Sequence, residues 1–224
     1  MYKLAVFDMD GTILDTLEDL MDSDNYALRK CGYPERSYDE VRRFVGNGIR
    51  KLIERSVPES CTEEDIDKVH KVFTEHYKLH CADKTKAYDG IKDLLEKLRA
   101  RGVKTAVVSN KADYGVQELC EDYFPGLFDY AVGEREGIRR KPAPDSVNEA
   151  LRNLGIDKKG AVYIGDSDVD FETAKNAELP CISVLWGFRD EEFLREKGAS
   201  VFVHKPEEIL DIILKGDQKD VHAE

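Results

Sequence analysis

Lys3-Leu4-Ala5-Val6-Phe7-Asp8-Met9-Asp10-Gly11-Thr12 is a short apolar run that stops abruptly in an acidic, glycine-containing loop. An apolar run with no polar alternation suits a strand buried on both faces, which is the strand of a parallel sheet. The loop then sits at the strand's carboxyl end. Two carboxylates one residue apart can divide labour there. One can attack phosphorus while binding a metal; the other can protonate a leaving oxygen and later deprotonate water. Gly11 lets the chain turn where a ligand must approach the backbone. The same residues also fit a plain strand-to-loop turn.

Outward from this strand the rhythm changes twice. From Leu17 to about Ala82, apolar residues recur at helical spacing (Ile66, Val69, Val72 and Phe73, for example) among many charges. This predicts three to five helices and no strand. After Tyr88-Asp89-Gly90 a helix is predicted to Arg101, stopped by Gly102. Strands are then expected over 103–108, 128–132, 161–164, 181–185 and 200–203. Helices are expected between and after them, over 113–123, 143–154, 170–177, 191–197 and 206–215. Strand–helix alternation implies a mainly parallel sheet covered on both faces. The fold expected is α/β, a Rossmann-like three-layer core with an inserted all-helical cap. Residues 1–15 and 83–224 make the core and 16–82 the cap, with 216–224 a frayed tail. The insertion hangs over the strands' carboxyl ends, where open α/β sheets bind ligands.

Three more motifs fall at predicted strand ends. Ser109-Asn110-Lys111 brings a hydroxyl, an amide and an ammonium that can hold phosphoryl oxygens, although Ser and Asn also cap helices. Arg140-Lys141-Pro142-Ala143-Pro144 reads as a helix start, with proline in the first turn and Lys141 just before it. Lys141 can neutralise a phosphate and a nucleophile, or be a surface lysine. Asp166-Ser167-Asp168-Val169-Asp170 crowds three carboxylates that repel one another unless a cation gathers them. The alternative there is helix capping. Mg²⁺ prefers such oxygen ligands.

Bulk properties narrow the field. The 224 residues suffice for one domain, or one carrying a smaller insertion. A net charge of −12 argues against nucleic acid as a partner. No run of about eighteen apolar residues exists, so no membrane span is expected. The start lacks a secretory pattern, so a cytoplasmic protein is expected. The five cysteines are scattered and read as reduced, buried thiols. A monomer or homodimer is expected.

The order and spacing of these motifs resembles the phosphatase branch of the haloacid dehalogenase superfamily across nearly the whole chain. The resemblance implies Asp8 as nucleophile and Mg²⁺ ligand. It implies Asp10 as general acid/base, with its carbonyl on the metal. Thr12 would position substrate or Asp10, Ser109 would bind a phosphoryl oxygen, and Lys141 would stabilise nucleophile and phosphate. Asp166 would bind Mg²⁺, with Asp170 supporting it directly or through water; Asp168 is left out. The insertion resembles that superfamily's small cap. Within it Phe44-Val45-Gly46-Asn47-Gly48-Ile49-Arg50-Lys51-Leu52 resembles phosphoglycolate phosphatases, as does Ser109-Asn110-Lys111. Gly46, Asn47 and Arg50 or Lys51, with Asn110 in the core, would then meet the substrate. The alternative is a helix–helix turn with an exposed basic face.

These expectations describe a Mg²⁺-dependent phosphomonoester hydrolase acting through an aspartyl-phosphate on a small phosphorylated metabolite, with a phosphoglycolate-like substrate favoured. A sugar phosphomutase like β-phosphoglucomutase, or a pyrophosphatase, could use the same core. A dehalogenase is disfavoured, since Asp10 supplies an acid/base that carbon–halogen displacement does not need. A silent binding module is disfavoured by the complete set Asp8, Asp10, Lys141 and Asp166.

Overall fold

The computed structural model describes residues 1–216; of the tail expected over 216–224, all but Gly216 lies outside the described residues. The chain begins with β1 (Leu4–Phe7), β2 (Leu14–Asp15), α1 (Leu17–Cys31), α2 (Tyr38–Phe44), α3 (Ile49–Ser56) and α4 (Glu63–His80). It continues through β3 (Lys86–Ala87), α5 (Ile91–Ala100), β4 (Lys104–Ala112), α6 (Asp113–Tyr123), β5 (Tyr130–Glu134) and α7 (Asp145–Leu154). It closes with β6 (Ala161–Gly165), α8 (Asp168–Ala177), β7 (Cys181–Val184), α9 (Glu191–Glu196), β8 (Phe202–Val203) and α10 (Pro206–Lys215).

The larger sheet has the order β5-β4-β1-β6-β7-β8, and its pairings are all parallel. β1 is buried along its whole length, with side chains alternating between two apolar clusters. Ala5 and Phe7 enter the first, with Ile91, Leu95 and Leu98 of α5, Val116 and Leu119 of α6, and Ile209 and Ile213 of α10. Leu4 and Val6 enter the second, with Val147 and Leu151 of α7 and Ala174 and Ala177 of α8. Both faces of the strand are therefore covered, which is why its sequence shows no polar alternation. Removing a ring as buried as Phe7 costs about 3–5 kcal/mol.

β1 lies between β4 and β6, so the chain reverses direction across the sheet at its own first strand. Parallel sheets open a crevice at that switch point, outside the strands' carboxyl ends. Residues Asp8, Ser109 and Asp166 stand there.

Helices α1–α4 have an apolar cluster of their own, built on Leu28, Leu52, Ile53, Val69 and Phe73. Phe188, from the loop after β7, joins that cluster. The insertion is entered and left through an antiparallel ribbon, Leu14 opposite Ala87 and Asp15 opposite Lys86. Asp19 of α1 holds the exit: its carboxylate accepts from the Lys84 and Thr85 amides and the Thr85 hydroxyl at 2.8–3.1 Å. Among the described residues no helix is long and apolar enough to cross a membrane.

Several expected bounds shift. β4 runs on to Ala112, because Ser109-Asn110-Lys111 stays extended and buried instead of capping a helix. α7 begins at Asp145, so Lys141, Pro142 and Pro144 precede it and do not form its first turn. α8 starts at Asp168 with Ser167 as its cap. β5 lies two residues later than expected, at Tyr130–Glu134.

Asp24 is a buried charge inside the helical insertion. The Ser56 hydroxyl donates to its Oδ2 at 2.7 Å, while Oδ1 has no hydrogen-bond partner. Burial pushes its carboxyl up to about 6, against the pull of Ser56 and Arg36. A folded pKa above the unfolded one gives stability that is full at low pH and is lost as pH rises through the folded value. Asp24→Asn should therefore gain on the parent protein by up to about 3 kcal/mol as pH rises from about 4 to about 7. Denaturant unfolding at several pH values measures this; a pH-independent difference between the two proteins would contradict it.

Candidate active site

Asp8 is the first residue beyond β1, and its amide continues the strand pairing by donating to the Ile164 carbonyl at 2.9 Å. The chain then folds back on itself, the Met9 carbonyl accepting from the amides of Thr12, Ile13 and Leu14 at 3.0–3.2 Å. Gly11 has φ +84°, and a Cβ there would collide with the Asp166 carboxylate. Gly187 is confined in the same way: a Cβ would strike both Asp166 and the Gly11 carbonyl. The two loops can approach so closely only because neither residue has a side chain.

Asp8, Asp166 and Asp170 are buried, and each offers a carboxylate oxygen within 4.8 Å of the others. Lys141 Nζ stands among them, 2.8 Å from Asp8 Oδ1, 2.8 Å from Asp170 Oδ1 and 3.1 Å from the Tyr163 hydroxyl. The contact to Asp8 is an ion pair without hydrogen-bond geometry, so Asp8 Oδ1 has no hydrogen-bond partner. Burial first, then Asp170, pushes the Asp8 carboxyl well above the usual range, against Lys141. Burial and Asp170 likewise push Asp166 up to about 7. Burial opposes the charge on Lys141, yet Asp170 and Asp8 outweigh it and hold the ammonium well above the usual lysine range.

Three buried carboxylates against one ammonium leave negative charge uncompensated. An all-oxygen donor set with an unpartnered oxygen is what a hard divalent cation such as Mg²⁺ takes. The residues fit that ion, with Asp8 and Asp166 the freer donors. Asp170 is more heavily engaged: its oxygens accept from Lys141, Tyr163 and the amide and hydroxyl of Ser167. The Asp10 side chain is not in the acidic group. Its Oδ1 lies 3.0 Å from Lys111 Nζ, so contact of Asp10 with a metal would have to come through its main chain.

The other residues singled out in the sequence divide into those at the cavity and those away from it. Ser109, Asn110 and Gly46 line a cavity of about 50 Å³ together with Asp8, Asp10 and Lys141. Asn110 is occupied by the protein: its amide donates to the Lys141 and Gly46 carbonyls, and its oxygen accepts from the Lys141 amide at 2.8 Å. Its side chain holds Lys141 in place, and both of its side-chain N–H donors are already used within the protein. Thr12 is fully buried and donates to Asp166 Oδ1 at 3.2 Å, so it orients a carboxylate and does not face the cavity. Asn47 and Arg50 are not brought to the cavity either. Asn47 Oδ1 accepts from Arg55, and Arg50 is tied to Glu63, Asp67 and Glu54 across α3 and α4. Lys51 pairs with Glu54.

Other residues at the site went unread in the sequence. Arg189 donates to the carbonyls of Arg42, Arg43 and Val45 at the carboxyl end of α2, joining core to insertion. The Phe188 amide donates to Asp166 Oδ2 at 2.7 Å. Trp186 Nε1 donates to the Thr12 carbonyl at 3.0 Å. All three follow β7, one more strand end on the same rim, and that position is the signal that could have found them. Tyr77 of α4 accepts from Lys111 at 2.6 Å. Its spacing from Val69 and Phe73 reads as helix core, so nothing in the sequence distinguished it.

Comparison with known proteins agrees with this geometry. Residues 5–184 match the family model described as haloacid dehalogenase-like hydrolase. A phosphoglycolate phosphatase of Aquifex aeolicus is 33% identical, over 83% of this chain and 86% of its own. One from Mesorhizobium japonicum is 32% identical over 90% of both. A crystal structure from Lactobacillus delbrueckii, provisionally described as a phosphoglycolate phosphatase, superposes with a TM-score of 0.91 at 42% identity, covering 95% of this chain and 98% of that one. A buried aspartate triad around a lysine, on a parallel sheet matched over most of its length, places the chain in a known group: it belongs to the haloacid dehalogenase-like hydrolase family, as an enzyme of its phosphatase branch.

Proposed function

We propose that the chain is a Mg²⁺-dependent phosphomonoester hydrolase that works through an aspartyl-phosphate on Asp8, with a small phosphoglycolate-like acid as substrate. The observation that carries this reading is Asp8 Oδ1, a buried carboxylate oxygen with no hydrogen-bond partner beside Lys141. A carboxylate at a strand end beside a lysine ammonium, with no hydrogen bond from the described residues, is free to attack, whereas Asp166 and Asp170 accept hydrogen bonds on both oxygens. The names of the relatives favour the substrate class.

In the first step an Asp8 oxygen attacks phosphorus, the ester P–O bond breaks, and Asp10 gives its proton to the departing oxygen. Asp10 then takes a proton from water as that water attacks phosphorus. The P–O bond to Asp8 breaks, and Asp8 and inorganic phosphate are restored. Lys141 offsets charge on Asp8 and the phosphoryl group, and Ser109 is placed to hold a phosphoryl oxygen. Bound Mg²⁺, held by Asp8, Asp166 and the Asp10 main chain, would balance the negative charge that the carboxylates and phosphate share. Asp170 keeps Lys141 in position.

Residues 16–82 act as a cap in this reading, moving on the β2–β3 ribbon and excluding water from the cavity when closed. The expectation that Arg50 or Lys51 meets the substrate is not carried forward, since carboxylates of the insertion hold both.

Asp8→Asn should remove phosphate release almost completely, because an amide is a poor nucleophile. Near-normal release by that variant would overturn the mechanism. Asp10→Asn should slow turnover by about 10²–10⁴-fold, least for esters whose leaving group needs no proton. Mg²⁺ affinity, measured by calorimetry, should weaken as pH falls from about 8 to about 6, since Asp166 must lose its proton to bind. An affinity independent of pH would contradict that ligand assignment.

A further inference from the structure

Lys111 is a cation at the cavity to which the mechanism above gives no task. It extends from β4, is buried, and lines the cavity together with Tyr77 of α4. An ammonium has three N–H donors. Among the described residues, two of those on Lys111 have acceptors, Asp10 Oδ1 at 3.0 Å and the Tyr77 hydroxyl oxygen at 2.6 Å. Lys141 differs, since Asp8, Asp170 and Tyr163 surround it. Arg189 differs too: carbonyls of the insertion take its terminal donors, and Asp168 lies 3.5 Å from its Nε.

Tyr77 completes the picture. Its oxygen accepts from Lys111, which leaves its own O–H proton to donate, and no acceptor for it stands among the described residues. Two neighbouring donors, one on a full positive charge, are thus left over at the cavity wall. The other side chains that the insertion adds to that wall, Leu20, Val45, Ile49 and Leu52, are apolar. A two-oxygen anion matches this pair, because a carboxylate can accept from an ammonium and a hydroxyl at once.

We propose that Lys111 and Tyr77 form a carboxylate seat, selecting phosphate esters that bear an acid group on the leaving portion. The inference rests on the reading of this cavity as the substrate site. Lys111 comes from the core and Tyr77 from the insertion, so the seat is complete only when the two are apposed as here. If Lys111 served only to neutralise Asp10, its loss would weaken every phosphate ligand alike.

Titration calorimetry of the full chain in Mg²⁺ tests this with 3-phosphonopropionate and propylphosphonate. The two share a chain length, and neither can be hydrolysed. The parent protein should bind the acid tighter by about tenfold or more, the scale of a charge-assisted hydrogen bond. Lys111→Met should erase the preference, Lys111→Arg should keep part of it, and Tyr77→Phe should reduce it. Tyr77→Phe leaves the Lys111–Asp10 pair in place and so guards against a folding defect in Lys111→Met. The proposal is overturned if the parent shows no preference, if the preference survives in Tyr77→Phe and Lys111→Met, or if both ligands weaken by the same factor. Binding is read without turnover, so failure of the seat and failure of hydrolysis show in different measurements.

Discussion

Three aspartate carboxylates and one lysine ammonium share a buried space beyond β1, and much of the molecule serves to keep them there. Like charges gathered out of water are costly unless each oxygen is bonded or a cation joins them. The protein satisfies most of those oxygens itself. Thr12 and the Phe188 amide serve Asp166; Ser167, Tyr163 and Lys141 serve Asp170. What remains is the Asp8 carboxylate, and the chemistry is proposed to start there. Two glycines without side chains let the loops of Asp8 and Asp166 meet at all.

The parallel sheet is the means of assembling such a group from distant parts of the chain. β1, β4 and β6 are adjacent, and their carboxyl ends deliver Asp8, Ser109 and Asp166 to one rim. The helical insertion keeps a separate apolar core and meets the rim mainly through polar contacts. Arg189 reaches the carboxyl end of α2, where a cation is favoured by the helix dipole, and Arg42 pairs with Asp190. Asn110 reaches the Gly46 carbonyl. Phe188 is the apolar exception, seated in the insertion's own cluster. Under the proposed cap reading, a seam held largely by polar contacts would open more readily than an apolar core.

How much of this could be read beforehand follows from how local each signal was. Continuous apolar runs marked β1, β4 and β6, and the chemistry-bearing residues stood directly after them. The β2–β3 ribbon is two residues long on each side, too short for any periodicity to reveal. Thr12 and Asn110 could be picked out as candidates, but their partners could not. Thr12 turns to a carboxylate 154 positions away, and Asn110 to a main chain 31 positions away. Arg50 stood out as a basic residue beside a glycine turn, but the sequence did not show that Glu63 and Asp67, one helix further on, pair with its guanidinium. Sequence order shows which groups stand at a strand end. It does not show which of them the fold has already satisfied.

The central claim is that phosphate passes through a covalent bond to Asp8. Borohydride reduction of enzyme quenched during turnover tests it most directly, because an acyl phosphate is reduced to an alcohol while a free carboxylate is not. Peptide mass spectrometry should find residue 8 converted to homoserine, with one oxygen lost and two hydrogens gained, and Asp10 unchanged. An unmodified Asp8 in enzyme that is releasing phosphate, or the modification at Asp10, would contradict the account.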